Sequence, residues 1–130
     1  MVGFRRGDEK WELLKNCQFG FVPSECYENF PVVALECYAA SKPVIASNMG
    51  GLPYIVEDGK SGLLFEPHNP DDLVAKVRQL TSNPALARSM GEQGRHLVET
   101  KYGPQEGYDR LMTIFEKVLS RTAGCHTTSR

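Results

Sequence analysis

The chain has 130 residues, 41% of them apolar and 24% charged, with a net charge of −1. That length and composition suit one globular domain with a real core. Its Lys and Arg are dispersed, which excludes the basic patch that nucleic acid or an anionic membrane would require, and no apolar run approaches the roughly 20 residues of a membrane span.

The opening "MVGFRRGDEKWELL" has no apolar h-region or cleavage site, so no secretory signal is expected, and "MVGF" reads as the end of a strand. Asp8 is a plausible N-cap for a helix through Asn16, with Trp11 and Leu14 inward. "FGFVPS" at 19–24 reads as a short buried strand that stops at Pro23. A helix from about Pro31 to Ala40 follows, with Pro31 suited to its first turn. "PVIAS" at 43–47 is a second buried strand, continuously apolar as parallel strands are.

After the loop "NMGGLP", a short helical turn is expected around 53–57, a tight turn over "DGKSG", and a further strand at "GLLFE", 62–66. Asn69-Pro70 opens a helix whose Leu73, Val74, Val77 and Leu80 share one stripe. Asn83-Pro84 repeats that signal for a helix reaching about Tyr102, although Gly91 and Gly94 weigh against it. Beyond Gly103-Pro104, Tyr108, Leu111, Met112, Phe115, Val118 and Leu119 recur with helical period on one strongly amphipathic face. The tail from residue 123 lacks periodicity and is expected to be disordered.

Short apolar strands alternating with helices indicate an α/β fold on a parallel sheet of three or four strands. The helices at the C-terminal end outnumber what so small a sheet can cover, which hints at a missing part. The four cysteines, at 17, 26, 37 and 125, match no zinc spacing. A reducing compartment is expected, with Cys17 and Cys37 as core thiols. The three histidines, at 68, 96 and 126, stand apart in loop, helix and tail and read as surface residues.

The helix "PVVALECYAA" is apolar on every side and should be buried all round, yet it carries Glu36. Burying a carboxylate costs several kcal/mol unless it is paired or well hydrogen-bonded. Two arrangements avoid that cost: an ion pair with Lys or Arg in the core, or a polar cleft that binds a ligand. The helix rises roughly 7.5 Å from Pro31 to Glu36, and its start, just past a strand's carboxyl end, offers free N–H groups to a phosphate. A diphosphate there would leave a ribose near Glu36, with Glu28 facing whatever the diphosphate carries. From the residues alone, both arrangements stay open.

Longer blocks extend the pattern. A glutamate, seven residues and a second glutamate (Glu28 and Glu36) are followed by Lys42-Pro43-Val44-Ile45-Ala46-Ser47, Gly50-Gly51, "NPDDL" and "MGEQGR". Together these resemble the C-terminal half of the large retaining glycosyltransferase family with two facing Rossmann-like domains, the GT-B fold, of group 1 or family 4 type. The resemblance runs from about residue 2 to 120. It implies an α/β Rossmann-like parallel sheet with flanking helices, the incomplete C-terminal half of a GT-B fold, over residues 1–122. It also implies sugar transfer from a nucleotide-diphosphate sugar to a glycan or lipid-linked acceptor, without metal or other cofactor. Glu36 would hold the ribose hydroxyls, and Glu28 would stand beside the transferred sugar as the catalytic carboxylate. Backbone around Asn29, Phe30, Val32 and Val33 would contact sugar and phosphate, and Gly50 and Gly51 would let a loop approach the cleft.

Several positions depart from that pattern. Pro31 and Asn29 replace frequent glycines, and Ser41 replaces the glycine before Lys42-Pro43. Tyr54 stands where a glutamate is common. The family's acceptor-binding N-terminal domain and the strands carrying its diphosphate-clamping Arg and Lys have no counterpart here, so a partner chain or missing domain is expected. Arg5, Arg6 and Lys10 read as surface charges. The last helix would lack part of its cover. A cytoplasmic protein is expected, peripheral to the membrane through the missing part. The competing expectation is a non-catalytic fragment or split subunit that binds nucleotide weakly or supports a partner chain.

Overall fold

The computed structural model describes residues 3–123. The chain divides into two compact units with the boundary between Val98 and Glu99. In the first, the order is α1 (Gly7–Asn16), β1 (Gly20–Val22), α2 (Val32–Ala39), β2 (Val44–Ser47), α3 (Leu52–Ile55), β3 (Gly62–Phe65), α4 (Pro70–Thr81) and α5 (Pro84–Lys101), the last running past the boundary. The second unit carries α6 (Pro104–Ala123).

The sheet has three parallel strands in the order β1-β2-β3, with Gly20 opposite Val44 and Val44 opposite Gly62. Each short apolar run became a strand, and each helix crosses back so that the next strand runs parallel. Because alternate residues face opposite sides, Ile45, Leu63 and Phe65 join Leu80, Ala87 and Met90 in one core cluster, with Leu73 and Val77 packed against it. On the other face Ala34, Cys37 and Tyr38 of α2, with Leu52, Ile55 and Val56, are buried. Gly20 and Gly62 keep that face thin, since a Cβ on either would overlap Cys37 Sγ or the Val44 carbonyl.

Four expectations need correction. The helix starting near Asp8 begins at Gly7 with Arg6 as N-cap, and Asp8 lies in its first turn. Pro31 is the N-cap of α2 rather than a first-turn residue. That helix is not buried all round: Val32 is 56% exposed and Val33 43%. Its first turn is left partly uncovered, so apolar composition alone overstated its burial. Cys37 is buried, but Cys17, at the end of α1, is only half-buried.

α5 runs unbroken through Gly91 and Gly94, and the reason lies in packing. A Cβ at Gly91 would overlap the Ser41 carbonyl, and one at Gly94 the Tyr38 ring. These glycines weaken the isolated helix by about 1 kcal/mol each, and they let α5 sit directly on the end of α2. Asn69 caps α4 by accepting the Asp72 amide at 3.1 Å, and Asn83 does the same for Leu86 at 3.1 Å. Both Asn-Pro starts therefore work as helix signals.

Gly3 and Phe4 belong to no strand, and the remainder of the "MVGF" expectation lies outside the described residues. Ala123 is the last residue of α6. The rest of the expected disordered tail, with Cys125 and His126, lies outside them as well. Within α6, Tyr108, Leu111, Met112, Phe115, Val118 and Leu119 are exposed.

Candidate functional site

At the carboxyl ends of β1 and β2 two backbone segments come into close contact. The Gly50-Gly51 loop lies directly on residues 27–29, and the Gly51 amide donates to the Glu28 carbonyl at 2.7 Å. Gly50 has φ 59°, a left-handed conformation that glycine adopts without strain. A Cβ on Gly50 would stand 2.9 Å from the Glu28 nitrogen. Only glycine fits at this seam, and the seam fixes the Glu28 backbone against β2.

The Glu28 side chain is half-buried, and Ser24 Oγ donates to its Oε1 at 2.6 Å. Ser24 is itself anchored, since Ser47 Oγ at the end of β2 donates to its carbonyl at 2.7 Å. The carboxylate is thus held by two successive hydrogen bonds relayed from the strand ends. Tyr27, Glu28, Asn29, Gly50, Gly51 and Tyr54 together line a concavity of ≈ 290 Å³. Tyr54 lies three residues past Gly51, on the turn of α3, and sequence reading assigned it no role. Ser24, four residues ahead of Glu28, was equally unassigned.

Glu36 lies apart from that concavity. Lys10 of α1 donates from Nζ to Glu36 Oε1 at 2.6 Å, with side chains 35% and 28% exposed. Lys10 is therefore not the plain surface charge expected of it, and the ion-pair arrangement for Glu36 is realised. The pair is nevertheless partly exposed, so water still reaches both groups and it is not inside the core. Lys10 also stands 5.6 Å from the Trp11 ring centre.

Between the two glutamates, the first turn of α2 presents backbone to solvent. The Val32 and Val33 amides have no intrahelical acceptor and donate to no other backbone carbonyl among the described residues. Phe30 is exposed. Of the expected site residues, the fold thus brings Glu28, Asn29, Gly50 and Gly51 into one concavity. Phe30, Val32 and Val33 follow it along the chain, and Glu36 stands a turn further on, with Lys10. Among the described residues, no group of three or more His, Cys, Asp or Glu could hold a metal ion, and no helix is long and apolar enough to cross a membrane.

The family model described as glycosyl transferases group 1 matches residues 1–97. The chain belongs to that family. This glycosyl transferases group 1 chain is 44% identical over 95 residues to an uncharacterized glycosyltransferase of Methanocaldococcus jannaschii, covering 73% of the chain and 27% of that protein. It is 31% identical over 119 residues to the MMP alpha-(1->4)-mannosyltransferase of Mycolicibacterium hassiacum, covering 91% of the chain and 29% of that protein. Among solved structures it resembles sucrose-phosphate synthase from Thermosynechococcus elongatus, with a TM-score of 0.75, 29% identity, and coverage of 84% of the chain and 27% of that structure. It also resembles a mutant of S. aureus TarM in complex with fondaparinux, alpha-GlcNAc-glycerol and UDP, with a TM-score of 0.72, 26% identity, and coverage of 81% and 21%.

The α/β class expected from the sequence, a Rossmann-like parallel sheet with flanking helices, is the fold these neighbours share. The chain spans less than a third of the length of the two curated relatives described here.

Proposed function

We propose that this chain is the donor-side part of a retaining glycosyltransferase, which moves a sugar from a nucleotide-diphosphate sugar to a glycan or lipid-linked acceptor. The observation that carries this reading is the seam at the strand ends. There the Gly50-Gly51 loop, seated on the Glu28 backbone, and the Ser24 hydroxyl hold one carboxylate beside a concavity at a parallel sheet's carboxyl edge. In open α/β sheets that edge is where ligands bind.

In this reading the diphosphate lies over the first turn of α2, where the Val32 and Val33 amides and the helix dipole favour negative charge. Glu28 faces the transferred sugar, orients its hydroxyls and stabilises the positive charge that grows at its anomeric carbon as the diphosphate leaves. Its fixed rotamer means that this stabilisation needs no reorganisation at the moment of reaction. Glu36 accepts from the ribose hydroxyls with the oxygen that Lys10 leaves open. A relative of 26% identity was solved with UDP, which supports UDP as the first nucleotide to test. No metal is assigned to the diphosphate, whose charge the helix start and a further domain would meet.

The test is calorimetric titration of the chain with UDP and GDP. Glu36→Ala should weaken nucleotide binding roughly tenfold, the scale of hydrogen bonds to a charged group, with unchanged circular dichroism. Unaltered affinity in that variant would remove Glu36 from the site, and an unfolded variant would assign it a purely structural role with Lys10.

A further inference from the structure

At the opposite end of the sheet, where Gln18 and Pro43 lead into β1 and β2, a second concavity of ≈ 270 Å³ opens. We propose that it binds a phosphomonoester or a similar doubly charged oxyanion, held between the Lys42 ammonium and the Arg88 guanidinium. Both residues line this space, and no Asp or Glu does. The ion pairs Arg5–Glu9, Lys10–Glu36, Lys15–Glu12 and Lys76–Asp72 involve neither. Two like charges facing one concavity repel, and a dianion between them turns that repulsion into two charge-assisted contacts.

The frame is rigid. Helix α2 ends in a Schellman motif: the Lys42 amide donates to the Cys37 carbonyl at 2.9 Å and the Ser41 amide to the Tyr38 carbonyl at 2.8 Å. Ser41 takes the left-handed conformation this requires, at φ 56°, and Gly91 of α5 presses on its carbonyl. The backbone that carries Lys42 is therefore fixed relative to the helix that carries Arg88. Gln18 and Ser41, both neutral and polar, also line the space, and Leu80 adds an apolar lining residue for a short carbon skeleton. The volume falls near the lower bound of about 300 Å³ for ligand pockets, which suits a small ligand.

The charge of Lys42 reaches into this space. Burial pushes the half-buried Cys17 thiol up, and Lys42 works against that rise. Arg88 supplies a planar fork that matches two oxyanion oxygens, and Lys42 a point charge. This reading is independent of the nucleotide site, which occupies the carboxyl ends of the same strands.

The experiment is a titration of the ¹⁵N-labelled chain with inorganic phosphate against chloride of matched ionic strength, beside sedimentation with phosphatidylcholine vesicles with and without phosphatidic acid. Saturable amide shifts confined to Gln18, Ser41, Lys42, Ala87 and Arg88 are expected with phosphate. The double variant Lys42→Gln/Arg88→Gln should lose more than about tenfold in affinity, as expected for charge-assisted contacts, with its other resonances in place. Cosedimentation that depends on phosphatidic acid and on both cations, without a soluble-phosphate response, supports the same dianion carried on a lipid headgroup. Identical shifts in chloride, affinity retained by the double variant, or no response in either arm overturns the proposal.

Discussion

At the scale of single residues, the seam beside Glu28 leaves Gly51 no space for a side chain. A Cβ there would overlap the Asn29 carbonyl and come within 2.7 Å of the Glu28 oxygen, and both are backbone atoms that cannot swing aside. Gly51→Ala should therefore cost about 2–3 kcal/mol, within the range of changes that force backbone apart. The measurement is the urea midpoint, and a variant as stable as the parent would mean that the loop is not seated on residues 27–29. Cys37 supports a second prediction. Burial, with smaller contributions from Cys17 and Glu36, pushes its thiol from 9.0 up to about 12. A thiol whose ionisation is suppressed only in the folded state stabilises the fold fully below pH 9, and that contribution drains away as pH rises toward 12. Urea midpoints taken on either side of pH 9 should fall on the alkaline side, and Cys37→Ala should show a shallower fall even though it starts from a lower stability.

At the scale of elements, the join between α2 and β2 is the clearest case of a sequence departure with a structural cost. Ser41 holds φ 56° at the C′ position of a Schellman motif, where glycine is usual. A left-handed non-glycine residue costs roughly 1–2 kcal/mol, partly offset by the greater unfolded-chain freedom of glycine. Ser41→Gly should therefore raise stability by up to about 1 kcal/mol, read as an increase in Tm. A lower Tm would mean that the serine hydroxyl contributes more than its backbone strain removes.

Elements also show where local pattern misleads. The spacing of Leu73, Val77 and Leu80 and the two Asn-Pro starts were legible because helix period and capping are local properties, whereas Val74, expected on the same stripe, is 45% exposed. Gly91 and Gly94 argued against α5 for an equally local reason, and the argument failed. Their missing side chains are used by Ser41 and Tyr38, which lie some 50 residues earlier in the chain, a contact no local window contains. The same limit hid the exposure of Val32 and Val33. Composition reports how apolar a turn is, but not whether the sheet extends beneath it.

At the scale of the whole molecule, the chain spans only 27% of the M. jannaschii relative and 29% of the M. hassiacum one. Sugar transfer needs a cleft closed from both sides, with the acceptor positioned and water excluded. The concavity beside Glu28 is bounded here by a single sheet edge and its loops. The isolated chain is therefore expected to bind nucleotide without turning over any nucleotide sugar. Incubation with UDP-, GDP- and ADP-sugars and a panel of glycan acceptors, read as nucleoside diphosphate release, checks this. Release that Glu28→Gln abolishes would show that one sheet edge suffices for catalysis.

By itself the sequence determined the α/β class, the succession of elements and the candidate carboxylates, because hydrophobic period, helix starts and the Glu28–Glu36 spacing are written in neighbouring residues. Only the tertiary structure decided what each carboxylate meets. Glu28 is held by Ser24 and backed by a glycine loop that follows the next strand, whereas Glu36 is paired with a lysine 26 residues away on another helix. Such partners are chosen by strand order and helix crossing, and the energy of a charge depends on those distant neighbours more than on the residues beside it in the chain.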